Sequence, residues 1–214
     1  MGTKIVYEGG EGELIEKKSR FIATVKPVDT EEEALEFIAE LKKKYWNATH
    51  NCFAFVIGER QEIQRCSDDG EPQGTAGRPM LDVLLGEEIH NVAVVVTRYF
   101  GGTLLGTGGL VRAYSRSVQE GLKQSTVIEK IKGSRITIQT DYNGVGKLQY
   151  LLGQRGIQIV DSEYTDMVKL QVLVQEEEVT ELKEAVTEVT SGKAGWEEEK
   201  DISFAFIEKE PLIF

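Results

Sequence analysis

The sequence predicts a two-domain α+β protein, and three observations carry that prediction. The chain has 214 residues, 40% of them hydrophobic and 29% charged, enough to bury one or two real cores. Its apolar spacing switches repeatedly between the two-residue step of strands and the 3.6-residue step of helices. From Gly133 the pattern starts afresh and reads strand, helix, strand, strand, helix, strand, the βαββαβ order of a ferredoxin-like domain. The domains are therefore drawn as 1–132 and 133–214.

"ELIEKKSRFIATVKPV" (13–28) reads as extended chain, two strands or one bent strand. "DTEEEALEFIAELKKKYW" reads as a helix opened by a capping box, Thr30 with Glu33. Ala34, Leu35, Ile38, Leu41 and Tyr45 fall on one face of it. Its acids come early and Lys42, Lys43 and Lys44 late, as the helix dipole favours. "NCFAFVIG" is a strand and "EIQRC" its hairpin partner. "SDDGEPQGTAGRPM" is a long polar loop without periodicity, and "RPMLDVLLGEE" a helix with Pro79 near its first turn. "NVAVVVTRYF" is a continuous β-branched strand of the buried type. Beyond the glycines, Leu110, Tyr114, Val118 and Leu122 step by four along a helix.

In the second half, "RITIQT" alternates as a strand. "NGVGKLQYLLGQRG" is a helix with Leu148, Leu151 and Leu152 inside and Gly156 as its stop. "IQIVDSEY" and "MVKLQVLVQ" are strands. "EEEVTELKEAVTEVTSG" is a helix with Val179, Leu182, Val186 and Val189 on one face, and "DISFAFIE" is a last strand.

Net charge is −11, which argues against bulk attraction to nucleic acid. The charge is uneven. Residues 1–133 carry −3 and residues 134–214 carry −8, much of the latter in "QEEEVTELKEAVTEVTSGKAGWEEEK", read as a solvated helix face. The 31 residues between Glu88 and Glu120 hold no carboxylate, where the average density of the chain gives about five. Arg98, Arg112 and Arg116 lie in that window, so a local basic surface is expected on an acidic protein.

The same window holds "RYFGGTLLGTGGLVRAYSRS" (98–117), five glycines between a strand and a helix. It is not a Walker A loop, because Leu110 and not Lys follows Gly109. It is not a dinucleotide fingerprint either: Val111 stands at the third glycine position, and Glu120 lies inside the helical run. What remains is a general anion cradle. Glycines let successive N–H groups converge, and a helix start adds open donors and partial positive charge. The expected phosphate contacts are Arg78, Arg98, Gly101, Gly102, Thr103, Gly106, Thr107, Gly108, Gly109, Arg112 and Arg116. The plain alternative is a packed strand–turn–helix with solvated arginines.

Other chemistries find less support. Two cysteines, Cys52 and Cys66, are too few for a disulfide framework or a four-cysteine zinc site and suit a reduced, cytoplasmic protein. The cluster His50, Cys52, Cys66, Asp68, Asp69 lacks the spacing of a zinc site and has no C-x-x-C, and "SDDGE" lacks the alternating carboxylates of a calcium loop. No G-x-S-x-G is present, and a His50–Cys52 pair has no third orienting group. No metal, cofactor or catalytic residue is expected. The longest apolar run is too short to span a membrane, and the first residues lack a signal-peptide core.

"SDDGEPQGTAGRPM" followed by "VVVTRYFGGTLLGTGGLVRAYSRS" closely resembles the YigZ/IMPACT family of small two-domain proteins, and "HNC" at 50–52 is similar to the family's short His-x-Cys stretch. The resemblance implies a first domain of the ribosomal-protein and elongation-factor type, a two-layer α/β fold with a left-handed β-α-β crossover. The second would resemble the ferredoxin-like last domain of elongation factor G. It also implies translation regulation, nucleic-acid binding and no established catalysis.

RNA or the ribosome is therefore the expected partner, a translation-related protein a further one. His50, Asp68, Asp69, Gly70, Glu71, Gly74 and Thr75 are expected to form a binding loop beside the glycine segment. The same cleft would also suit a small phosphorylated metabolite, and the acidic second half a protein-interaction module.

Overall fold

In the computed structural model, which describes residues 2–214, the chain folds as two units: Thr3–Ile128, and Glu129–Phe214 with Gly2. The first unit runs β1 (Thr3–Glu8), β2 (Glu11–Glu16), β3 (Ser19–Pro27), α1 (Glu31–Lys44), β4 (His50–Ile57), β5 (Ile63–Ser67), α2 (Gly77–Gly86), β6 (Ile89–His90), β7 (Val92–Tyr99) and α3 (Thr107–Lys123). Strand β8 (Thr126–Thr140) begins in the first unit and continues into the second, so the division at 128/129 falls inside a strand, a few residues before the boundary drawn from the sequence.

Five strands of the first unit form a sheet in the order β2-β3-β7-β4-β5, with every neighbouring pair antiparallel. Two-residue alternation splits the central strands between two cores. Val92, Val94 and Val96 of β7, with Cys52, Ala54 and Val56 of β4, pack under Met80 and Leu84 of α2 and Leu110, Tyr114 and Val118 of α3. The alternate residues Ala93, Val95, Phe55 and Ile57 pack under Ala34, Phe37, Ile38 and Leu41 of α1. Helices thus cover both faces of this sheet, one layer more than the two-layer form expected. Because both faces are buried, β7 carries an unbroken apolar run. Thr30 caps α1 through its Oγ1, which accepts the Glu33 N–H at 3.2 Å, while the Glu33 carboxylate accepts the Asp29 N–H at 2.8 Å. Leu35, expected on the buried face of α1, is 51% exposed, and Phe37 occupies the core in its place.

The second unit continues from β8 through α4 (Val145–Gln154), β9 (Ile159–Tyr164), β10 (Val168–Gln175), a 3-10 turn (Glu176–Glu178), α5 (Val179–Val189), β11 (Gly195–Ile207) and β12 (Glu210–Ile213). The βαββαβ order is present, with β12 added as a short hairpin partner of β11. Its strands lie in the order β9-β10-β8-β11-β12, all neighbours antiparallel. Ile136, Ile138, Leu170 and Val172 pack under Leu148 and Leu152 of α4 and Leu182 and Val186 of α5. The acids "EEE" at 197–199 belong to strand β11, not to a helix face. Among the described residues no helix is long and apolar enough to cross a membrane.

Candidate functional site

The sequence-expected residues of the first unit gather around the C-terminal end of β7. Strand alternation sends Arg98 to the same face as Val92, Val94 and Val96, so its guanidinium points into the core and is only 5% exposed. A lone buried cation is expensive, and here Glu71 is drawn in from the loop after β5 to match it. Arg98 Nη1 donates to Glu71 Oε1, and Arg98 Nη2 lies 3.4 Å from Ser19 Oγ. Tyr114 Oη donates to the same Glu71 oxygen at 2.8 Å, and His50 Nε2 lies 3.8 Å from the other. The rings of Phe21 and Phe100 face the guanidinium at 5.3 and 5.7 Å.

The rest of the loop is held just as firmly. Asp68 accepts the N–H groups of Gly74, Ala76 and Gly77 at 2.8, 3.0 and 2.9 Å. Burial alone would raise the Asp68 pKa; these three donors outweigh it and hold the carboxyl below its ordinary value. Because Gly77 opens α2, Asp68 also caps that helix from nine residues back. Asp69 accepts the Asn51 N–H at 2.7 Å and Lys42 Nζ at 2.6 Å, while its carbonyl receives His50 Nδ1 at 2.8 Å. Thr75 Oγ1 donates to the Pro72 carbonyl at 2.6 Å. Cys52 Sγ lies 3.0 Å from the Asp68 carbonyl and 3.3 Å from Tyr114 Oη. Burial pushes the Cys52 thiol up to about 12, and burial with Cys52 and Glu71 beside it pushes the Tyr114 phenol up as well.

The glycine segment behaves differently. Gly101 runs against the Lys18 carbonyl, where any Cβ would overlap backbone, and its N–H donates to Ser19 Oγ at 3.2 Å. Gly102 and Gly106 have φ of +82° and +71°, a region that favours glycine. Gly106, which has no side chain to offer, is the N-cap of α3; among the described residues no side-chain hydrogen bond is made to the N–H groups of its first turn, which holds no acid. The N–H groups of Thr107, Gly108 and Gly109 therefore start a 17-residue helix with Arg112 on the next turn. Arg112 and Arg116 are exposed, Arg116 with Glu16 at 3.6 Å. Arg78, near the start of α2, pairs with Asp82 at 2.7 Å; its neighbour Pro79 approaches Ser115 of α3.

The structure thus brings Gly101, Gly102, Thr103, Gly106, Thr107, Gly108, Gly109 and Arg112 together at one surface. Two expectations need correction. Arg98 does not face solvent there: the inward side of β7 buries it against Glu71. The side chains of Asp68, Asp69, Glu71 and Thr75 turn inward to brace their own loop, leaving Gly70 and Gly74 on its outside. Sequence reasoning missed Ser19 and the Tyr114 hydroxyl as partners in the network, and Lys17 and Lys18 at the hairpin tip beside Gly101. The lysines were visible as a turn without Gly or Asn between two strand-like runs. Among the described residues no three His, Cys, Asp or Glu side chains gather as a metal site.

Residues 17–122 match the Impact N-terminal domain, and residues 138–193 match a domain of unknown function, DUF1949. The chain belongs to the IMPACT family. It is 46% identical over 189 residues to the IMPACT family member YvyE of Bacillus subtilis, covering 88% of this chain and 87% of the relative. It is 39% identical over 178 residues to the IMPACT family member YigZ of Escherichia coli, covering 82% and 87% of the two chains. A crystal structure described as that of a hypothetical protein shares 35% identity, covers 92% of this chain and 97% of its own, and superposes with a TM-score of 0.58. The internal ion pair and the open helix start both lie within the part matched to the Impact N-terminal domain.

Proposed function

We propose that this IMPACT family protein binds RNA through its phosphate backbone, at the open start of α3, and regulates translation through that contact. The observation that carries the reading is the uncapped α3 N-terminus, free of acids in its first turn, with Arg112 exposed one turn on. Converging N–H groups and a guanidinium match phosphate oxygens in charge and geometry. Phosphate contacts position a protein on RNA and give salt-dependent affinity without reading sequence. Arg116, one turn beyond Arg112 on α3, adds a second guanidinium; Arg78 is already matched by Asp82, and Arg98 supports the segment from inside. The translational role is the one the family resemblance implies, and it makes ribosomal RNA or a ribosome-bound factor the partner.

Binding rather than catalysis is the mode proposed. Burial pushes the thiol of Cys52, the nucleophile weighed in the sequence, up to about 12, which favours its protonated form at neutral pH.

Co-sedimentation of the full chain with ribosomes from a lysate tests the reading. The expected result is sedimentation in low salt, lost in high salt and weakened by Arg112→Ala with Arg116→Ala. Arg98 is left intact in this variant because its removal would strand Glu71. Sedimentation indifferent to both salt and the two substitutions would overturn the proposal.

A further inference from the structure

We propose that the ligand of this surface is single-stranded RNA, with bases stacked on Phe100 and Trp46 and phosphates met by Lys17 and Lys18 as well as Arg112. This inference rests on the RNA-binding reading above and adds which kind of RNA is taken. Three sets of observations carry it.

Two exposed aromatic residues, Trp46 and Phe100, belong to segments that are joined at the end of β7, where the glycine segment begins. The turn after α1 is tied to the end of β7: the Thr49 N–H donates to the Arg98 carbonyl at 2.9 Å, the Phe100 N–H to Thr49 Oγ1 at 3.1 Å, and Tyr99 Oη to Asn47 Oδ1 at 3.0 Å. That holds the turn that follows Trp46 against the end of β7 that leads into Phe100. Trp46 is 81% exposed and Phe100 47% exposed. The buried Arg98 guanidinium backs the Phe100 ring, so Phe100 is held in place without being covered.

The hairpin between β2 and β3 turns on Lys17 and Lys18, with φ of 45° and 68°. Turns of this hand favour Asn-Gly, so two lysines here go against local preference. The tip abuts Gly101, which sets both lysines beside the start of the glycine segment. Among the described residues neither lysine forms an ion pair, and neither does Arg112. The nearby carboxylates are already matched, Glu71 by Arg98 and Glu16 by Arg116. On a chain of net charge −11 this leaves Lys17, Lys18 and Arg112 as cations without an ion-pair partner among the described residues, in the segments that flank Phe100 and the glycines.

The combination selects single strands. A duplex hides its base faces and would need only the cations. Exposed rings interleaved with cations are how single-stranded nucleic acid is held, with little sequence preference, since every base has a face to stack.

The experiment is fluorescence anisotropy of a labelled oligouridine and of a labelled RNA duplex, titrated with the full chain across a salt series. The oligouridine is expected to bind more tightly than the duplex. Trp46→Ala should weaken it about tenfold with the salt slope unchanged. Lys17→Ala with Lys18→Ala should instead flatten the log–log slope by about 0.7 for each phosphate that is no longer neutralised. Phe100→Leu should act like Trp46→Ala; since Phe100 also touches Arg98, the solvent-exposed Trp46 is the deciding variant. Equal binding of duplex and single strand, or a Trp46→Ala variant that binds like the parent while Arg112→Ala weakens binding, would overturn this inference and leave the phosphate-led reading standing. A flat titration with both RNAs in low salt would overturn both and leave the surface to a protein partner.

Discussion

Helices α2 and α3 pack on the same face of the sheet, each after a glycine-rich loop and each without an acid in its own first turn. They differ in what meets their open N–H groups. At α2, Asp68 reaches across its loop and takes three donors; at α3, no side chain among the described residues does so. The loop before α2 is rich in acids and turns all of them inward, against Arg98, Lys42 and backbone. The segment before α3 has none to turn. Two motifs that look alike in glycine content therefore have opposite consequences. One helix start is satisfied within the protein and braces the fold, while the other stays available to an anion from outside.

The largest expected effect comes from breaking the brace. Glu71→Ala leaves the Arg98 guanidinium buried without its counter-charge and should destabilise the protein by about 3–5 kcal/mol in urea unfolding. Replacing both partners, Glu71→Leu with Arg98→Met, removes the stranded charge and should recover part of that loss. A single variant that loses less than about 1 kcal/mol would show that water reaches the pair and that the loop is not held by it.

The contrast between the two helix starts was only partly legible in the sequence. The four-residue stride Leu110–Tyr114–Val118–Leu122 marked α3 correctly, and all four are buried. The carboxylate-free window pointed to a local basic surface: Arg112 and Arg116 are exposed and the first turn of α3 holds no acid, while Arg98 is buried. The direction of Arg98 could not be read, because both faces of β7 are covered and a continuous apolar strand does not show which parity meets which helix. Leu35 and Phe37 were confused for a related reason: both lie near the edge of the apolar stripe of α1, and tertiary packing chose between them. Strands β1 and β6 escaped because their parallel pairing joins residues far apart in the chain, and β6 has only two residues.

A smaller effect is expected at the Asp68 cap. Asp68→Ala removes the acceptor of three N–H groups and should cost about 1–2 kcal/mol, in the range of a lost helix cap. The pH dependence has a definite sign. The folded-state pKa of Asp68 lies below its ordinary value, so its ionised form favours folding. That contribution is present above the ordinary carboxylate range and fades as the pH falls through it toward the lower folded value. The melting temperature of the parent should therefore fall more steeply on acidification than that of Asp68→Ala. Parallel curves would mean that the carboxylate charge adds nothing at α2.

The smallest effect on stability is the sharpest test of the contrast, because stability and binding should move in opposite directions. Thr107 is exposed and is the first residue of α3. Thr107→Asp places a carboxylate where α3 lacks one and makes it resemble α2. Acting on the helix dipole, the new charge should raise stability by about 0.3–1 kcal/mol. It should also occupy or repel the position of an incoming phosphate, so RNA affinity should fall even as the melting temperature rises. Thr107→Asn is the uncharged control and should keep most of the binding. If Thr107→Asp stabilises the protein and leaves RNA binding intact, α3 is an ordinary helix with a polar start and the contact lies elsewhere on the unit. If both quantities fall, the substitution has disturbed the turn at Gly106, and the control shows whether geometry or charge was responsible.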